Sequence, residues 1–400
     1  MERVRVGMVG AGFAADFHTR CYNQVGGVRA EVVAITSRRR ERAEAFAAHH
    51  GIPAVYDSLE ELLEKAEVDA IDLCVPTHLH APAALLAAQA GKHIIVEKPL
   101  TGYCGEPGQA EDERIGETVP RQRMLEVVMA TCDELERAVQ AAGVKLMYAE
   151  NWVYAPAVQK ARRLMAASGG TVLRMVAEES HSGSHAEYAK LWRLAGGGAL
   201  LRTGSHPIGG VLHLKQAEGL ARNGRPIRPQ SVVASVAHLT RIESFRREPQ
   251  HFLKTGLIDC EDWGAALITF EDGSVAEVCS SDVVLGGIYN RLEVFLSNGR
   301  IQCHLNPNNA CVAYAPWEGG FGEEYLAEKI STRAGWNFPS PDEHWNSGYP
   351  QEIQDFVEAI VQDREPLSGW LLARDVMAVI FAAYVSAEEG RRVEVPRGKP

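Results

Sequence analysis

The chain has 400 residues, 46% of them hydrophobic and 23% charged, with 37 glycines and 19 prolines. That is too long for one ordinary core and predicts roughly two to three domains. The composition excludes a disordered, collagen-like or disulfide-scaffold chain, and the net charge of −11 argues against a nucleic-acid or anionic-membrane binder.

No uninterrupted apolar run reaches ~18 residues, so no membrane span is expected. Residues 1–6 lead straight into a strand pattern and offer no signal-peptide apolar core. Eight cysteines stand at positions 21, 74, 104, 132, 260, 279, 303 and 311 without a Cys-x-x-Cys pair. They read as reduced, mostly buried thiols of a cytoplasmic protein.

The elements follow in chain order. An apolar run at 4–9 leads into Gly10-Ala11-Gly12-Phe13-Ala14-Ala15 and a helical pattern. Residues 31–36 read as a second strand and 39–49 as a helix. Residues 68–75 read as a third strand, nearly all apolar, as a strand buried on both faces should be. A helix at 81–90 and a fourth strand at 93–96 complete an alternation that predicts a doubly wound parallel sheet. Residues 102–123 carry glycines, prolines and five acids, and read as an inserted surface loop or flap, functional or disordered. A helix at 125–142 and a strand at 145–149 then close a first domain, 1–149.

Residues 150–400 form the second predicted domain, for substrate binding and self-association. Pro156 opens a helix to 167. Strand patterns at 171–179, 231–243, 264–270, 274–283, 289–297, 300–305 and 310–315 predict a large, mostly antiparallel open sheet. The turns at 271–273 and 297–299 are hairpin signals. Helices at 351–362 and 371–389, the second with Ser368 as candidate N-cap, are expected to cover that sheet or pack back on the first domain. The fold class is therefore α/β with two unlike sheets.

Chemistry enters at the first turn. Gly10 allows the tight turn, Gly12 lets backbone approach a pyrophosphate, and Ala15 lets the helix pack close to the strand. Gly10, Gly12, Phe13 and Ala14 are the expected dinucleotide contacts. After the second strand, NAD would call for an acid at the ribose, but this chain has Ser37-Arg38-Arg39-Arg40. A hydroxyl and a guanidinium suit the 2′-phosphate of NADP. If Arg38 instead lies over the adenine, NAD is the cofactor.

Together Gly10-x-Gly12-x-x-Ala15, Thr77-His78-Leu79-His80, Glu97-Lys98-Pro99 and the run from Gly196-Gly197-Gly198 to Gly204-Ser205-His206 resemble the Gfo/Idh/MocA oxidoreductases. The resemblance covers essentially the whole chain. It implies a Rossmann domain, a C-terminal α/β domain with an open sheet, and hydride transfer at a sugar or cyclitol hydroxyl. It also implies Lys98 beside the nicotinamide and the reacting hydroxyl, with Thr77, His80 and Glu97 near the cofactor. A homodimer or homotetramer through the open sheet is expected.

Lysine at the end of a buried strand sits at the crevice where such sheets bind ligands, and suits a proton relay. His206 is the second candidate acid/base. The family usually places an aspartate four residues before that histidine; here Arg202 stands there. An arginine cannot accept a proton. It could hold an acidic group of the substrate, fix Glu178 or Glu179, or turn away and pair within the protein; the first is the expectation. Glu178, His181 and His185 read as a sugar-binding rim. Trp152 and Tyr154 read as a stacking wall or as core packing. The three histidines match no metal motif, so no metal is expected. Two alternatives stand beside the dehydrogenase: a glycosidase working through a transient keto-sugar, and a cofactor-binding regulator without turnover.

Overall fold

The computed structural model describes residues 3–254, 256–306, 311–330 and 332–398. Six parallel strands form the first sheet: β1 (Arg3–Val9), β2 (Arg29–Thr36), β3 (Ala54–Tyr56), β4 (Ala70–Leu73), β5 (His93–Glu97) and β6 (Leu146–Ala149), in the order β3-β2-β1-β4-β5-β6. Order reverses at β1, and the crevice at its carboxyl end is where such sheets bind dinucleotides. Helices α1 (Phe13–Tyr22), α2 (Arg40–His50), α3 (Leu59–Lys65) and α4 (His80–Gln89) link the strands. Strand β3 and helix α3 stand over 54–65, where the sequence pattern predicts no element, so the expected third strand is the fourth. The overlooked signal is Ser58-x-x-Glu61: the Ser58 hydroxyl caps α3 by accepting from the Glu61 N–H at 3.2 Å.

The segment after β5 is not a free flap. Tyr103 and Ile115 are buried, and the Tyr103 N–H donates to Gly196 O at 3.1 Å. The buried Asp259 carboxylate accepts from Gly116 N (3.0 Å) and Trp192 N (2.7 Å), tying the short helix α5 (Ile115–Thr118) to the glycine-rich run. Apolar anchors and a buried carboxylate thus dock what its acids and prolines suggest is loose. Helix α6 (Arg121–Ala142) follows.

The second sheet has seven strands: β7 (Val172–Ser180), β8 (Pro229–Ala237), β9 (Trp263–Phe270), β10 (Val275–Ser281), β11 (Tyr289–Leu296), β12 (Gly299–His304) and a terminal β15 (Val393–Glu394). Their order is β12-β11-β7-β10-β9-β8-β15, with only β7 and β10 parallel. A separate hairpin pairs β13 (Ala313–Ala315) with β14 (Gly335–Asn337). Strand β8 stops at Ala237, short of the expected 243. The buried Asp262 accepts from Leu239 N (2.6 Å) and Thr240 N (2.8 Å) and turns the chain into a 3-10 turn.

Helices α7 (Pro156–Ser168), before β7, and α10 (Ser205–Asn223), after it, pack on this sheet, with short turns α8 (Trp192–Ala195) and α9 (Ala199–Arg202) leading into α10. After α11 (Glu243–Arg246) and α12 (Glu343–Ser347), helix α13 (Tyr349–Val361) packs on α1. Helix α14 (Trp370–Glu389) packs against both α6 and β8. By length and composition α14 could cross a membrane, but 83% of its apolar window is buried, as a core helix requires. Its N-cap is Gly369, not Ser368. The Ser368 hydroxyl instead donates to Tyr148 O at 2.6 Å and pins the helix start to β6.

Candidate active site

The dinucleotide turn is shaped by Gly10, whose φ is +116°; a Cβ there would lie 2.1 Å from Cys74 O. Only glycine fits. Gly12 precedes α1 without a side-chain cap, and a Cβ on it would meet nothing within 4 Å. No side chain caps the first turn of this ten-residue helix, and an uncapped helix N-terminus is what a bound pyrophosphate needs. Phe13 is exposed and packs edge-on against Phe17, Ala14 is half-buried, and Ala15 is buried under the strand. At the end of β2, Ser37 is half-buried and Arg38 exposed. Arg40 is held by Glu44 and Asp57, whereas Arg38 has no ion-pair partner among the described residues. The turn and helix start fit a dinucleotide.

Thr77 is buried in the turn after β4. His80 is not a cofactor contact. Its ring nitrogens face Pro99 O at 2.7 Å and Val75 O at 2.8 Å, fully buried, so it braces the turn that carries Lys98. Glu97 does not pair with the Lys98 ammonium. Its Oε2 accepts from the Lys98 N–H at 2.9 Å, and its Oε1 lies 3.3 Å from His18 Nε2. Burial works against the charged forms here. Even so, Asp72, 2.9 Å from His18 Nδ1, and Cys74 raise the His18 pKa well above its ordinary value, and His18 in turn holds Glu97 low. The Lys98 Nζ donates to Arg202 O at 3.0 Å, which leaves two donors free.

His206 lies at the start of α10, buried beside Glu150 at the end of β6. His206 Nδ1 is 2.6 Å from Glu150 Oε1, and the Trp152 indole stacks on the imidazole at 6.2 Å with planes 12° apart. Gly209 makes the approach possible, since a Cβ there would lie 2.7 Å from Glu150 Cγ. His206 Nε2 is 4.0 Å from Glu179 Oε2. Burial raises the Glu179 pKa, opposed by His206 and Lys98. A cleft opens over this group, lined by His206, Glu179, Asn151, Trp152, Asn290 and Tyr349 among others.

Four expectations need correction. Arg202 does not reach the cleft: its guanidinium pairs with buried Asp282 at 2.6 Å, because a buried cation needs a carboxylate and the end of β10 supplies one. Glu178 faces away, toward Arg291 (3.3 Å) on β11, and strand alternation gives the cleft to Glu179 instead. Tyr154 is buried, its hydroxyl donating to Asp355 Oδ2 (2.8 Å) and accepting from Ser368 N (2.9 Å), so it joins elements and touches no ligand space. His185 lines a separate cavity with Ser184, Lys190, Lys254 and Asp282.

His181 stays near the site but faces Asp282 at 3.7 Å, and burial pushes its pKa down to about 4. The carboxylates Glu150 and Glu179 stand next to the expected His206, and neither is among the expected catalytic or substrate residues. The sequence does place both in polar stretches at strand ends, 150–154 and 178–185, without singling out either side chain.

A Gly-turn Rossmann sheet joined to an open sheet, with a lysine and a buried glutamate–histidine pair at the ends of neighbouring strands, defines a dinucleotide-dependent oxidoreductase. Residues 4–113 match the oxidoreductase family with NAD-binding Rossmann fold, and residues 158–302 match the GFO/IDH/MocA C-terminal domain. The chain belongs to the Gfo/Idh/MocA oxidoreductases. Over 101 residues it is 42% identical to an uncharacterized oxidoreductase of Rhizobium meliloti, a stretch that spans 25% of this chain and 30% of that protein. Over 370 residues it is 25% identical to D-xylose 1-dehydrogenase (NADP(+)) 2 of Haloferax volcanii, covering 91% of this chain and 92% of that one. In fold it is similar to GenD2 from gentamicin A biosynthesis in complex with NAD, with a TM-score of 0.78, 24% identity, and coverage of 99% and 97%. It is also similar to scyllo-inositol dehydrogenase from Lactobacillus casei with bound NAD(H) and scyllo-inositol, with a TM-score of 0.69, 16% identity, and coverage of 98% and 99%.

Proposed function

We propose that the protein moves a hydride between a nicotinamide dinucleotide and a hydroxyl-bearing ring carbon of a sugar, sugar derivative or cyclitol. The observation that carries this is the convergence of Lys98 and the Glu150–His206 pair at the carboxyl ends of β5 and β6. When bound, the dinucleotide supplies the hydride acceptor or donor. The protein supplies the proton path. A carboxylate on Nδ1 fixes the imidazole proton there and leaves the Nε2 lone pair toward the cleft, ready to take the hydroxyl proton. The two free donors of Lys98 stabilise negative charge growing on the same oxygen. Two of the proteins above are named as dehydrogenases of a sugar and a cyclitol, which supports this reading over the glycosidase or regulator alternatives.

Exposed, unpaired Arg38 supports NADP in preference to NAD. On this reading residues 1–149 hold the cofactor and 150–400 form the substrate wall. The open sheet face, where Val233 and Leu267 pair across β8 and β9 while both remain 38% exposed, joins copies into a homodimer or homotetramer. The test is formation of reduced nicotinamide when the protein is mixed with NADP or NAD and a panel of neutral, acidic and amino sugars and cyclitols. Failure with every member, in both directions, overturns the proposal.

A further inference from the structure

Among the described residues, two acceptor oxygens in the cleft have no donor. Glu179 Oε2 is buried without a hydrogen bond, on a residue only 8% exposed. Asn290 Oδ1 is likewise buried and unpaired. The residues are direct partners across β7 and β11, so their side chains share one face, and both line the cleft. The orientation of Asn290 is fixed by a chain of donors. Glu343 Oε1 can only accept and takes Asn306 Nδ2 at 3.2 Å; Asn306 Oδ1 then takes Asn290 Nδ2 at 2.8 Å. Asn290 Oδ1 is therefore the free end, and it is an acceptor.

Among the described residues no lysine or arginine lines this cleft, Lys98 acting on Glu179 from outside the lining, while Glu179, Glu328 and Glu343 do line it. Glu343 is occupied, accepting also from the Tyr325 hydroxyl at 2.6 Å, and Glu328 lies 3.3 Å from Lys329. Glu179 remains as the carboxylate without a hydrogen bond. A substrate hydroxyl brings one donor and two lone pairs, and would set its own lone pairs among these oxygens. An ammonium brings three donors and no acceptor. It also offsets the burial of the Glu179 charge.

Building on the oxidoreductase reading, we infer that Glu179 and Asn290 form an ammonium subsite, and that the preferred substrate is an amino sugar or aminocyclitol. This replaces the acidic substrate that Arg202 suggests in the sequence.

The test is isothermal titration of the dinucleotide-saturated protein with two matched pairs, D-glucosamine against D-glucose and scyllo-inosamine against scyllo-inositol, plus D-glucuronate. At least one amine should bind about tenfold or more tighter than its hydroxyl counterpart, since the hydrogen bond becomes charge-assisted on both sides. Glu179→Gln keeps the shape and should remove the preference; Asn290→Leu should reduce it. The wild-type comparison decides the matter if either variant fails to fold. The inference is overturned if no amine is favoured in either pair, or if Glu179→Gln keeps the full preference. Turnover of neutral sugars without amine preference would sink this subsite and leave the oxidoreductase reading intact. Amine preference in binding with no hydride transfer would do the reverse.

Discussion

Glu150 and His206, 56 residues apart in sequence, meet at 2.6 Å through Oε1 and Nδ1 inside the protein, with Glu150 fully buried. The usual family pattern would place an aspartate at position 202. Here Arg202 contributes its backbone oxygen to Lys98 and its guanidinium to Asp282, and the carboxylate beside the histidine comes from β6.

Glu150→Gln should therefore disable the proton path while leaving the fold in place. An amide can present N–H to Nδ1 and favour the tautomer with its proton on Nε2, which cannot accept from a hydroxyl. Turnover should fall ~10²–10⁴-fold, with the Kd for the dinucleotide and the melting temperature little changed. Steady-state kinetics beside cofactor titration checks this; a fully active variant would remove Glu150 from the mechanism.

Cofactor choice rests on Arg38. Arg38→Ala should weaken NADP by about tenfold or more, the loss of a hydrogen bond to a charged group, and weaken NAD little. Equal losses in fluorescence titrations with the two cofactors would place Arg38 over the adenine instead.

Arg202→Met leaves Asp282 buried without its cation. Breaking such a pair costs ~3–5 kcal/mol, so the melting temperature should drop clearly. Adding Asp282→Asn should restore part of it. The ratio of activities on acidic and neutral sugars should not move. A variant that melts normally but loses activity on acidic sugars alone would return Arg202 to the substrate.

The parts of this architecture that are legible in the sequence are local. Gly10, Gly12 and Ala15 lie within six residues, and the buried strands at 68–75 and 93–96 declare themselves by composition. The long-range pairings are not local. Nothing near Arg202 announces Asp282, 80 residues on. Glu178 and Glu179 are equivalent in sequence, and only the register of β7 against β11 sends one to Arg291 and the other to the cleft. A one-residue slip would exchange them. The docking of 102–123 depends likewise on Asp259 in the other half of the chain.

The most direct measurement compares wild type with Lys98→Met for hydride transfer and for dinucleotide binding in the same preparation. Lys98 follows β5 at the crevice, away from the phosphate turn at Gly10–Gly12, and its ammonium is held by Arg202 O. The variant should bind cofactor with near wild-type affinity and lose ~10²–10⁴-fold in turnover, as expected for removal of a positioned proton donor. A variant that keeps more than about a tenth of the wild-type rate, or that loses cofactor binding in step with activity, would contradict the account.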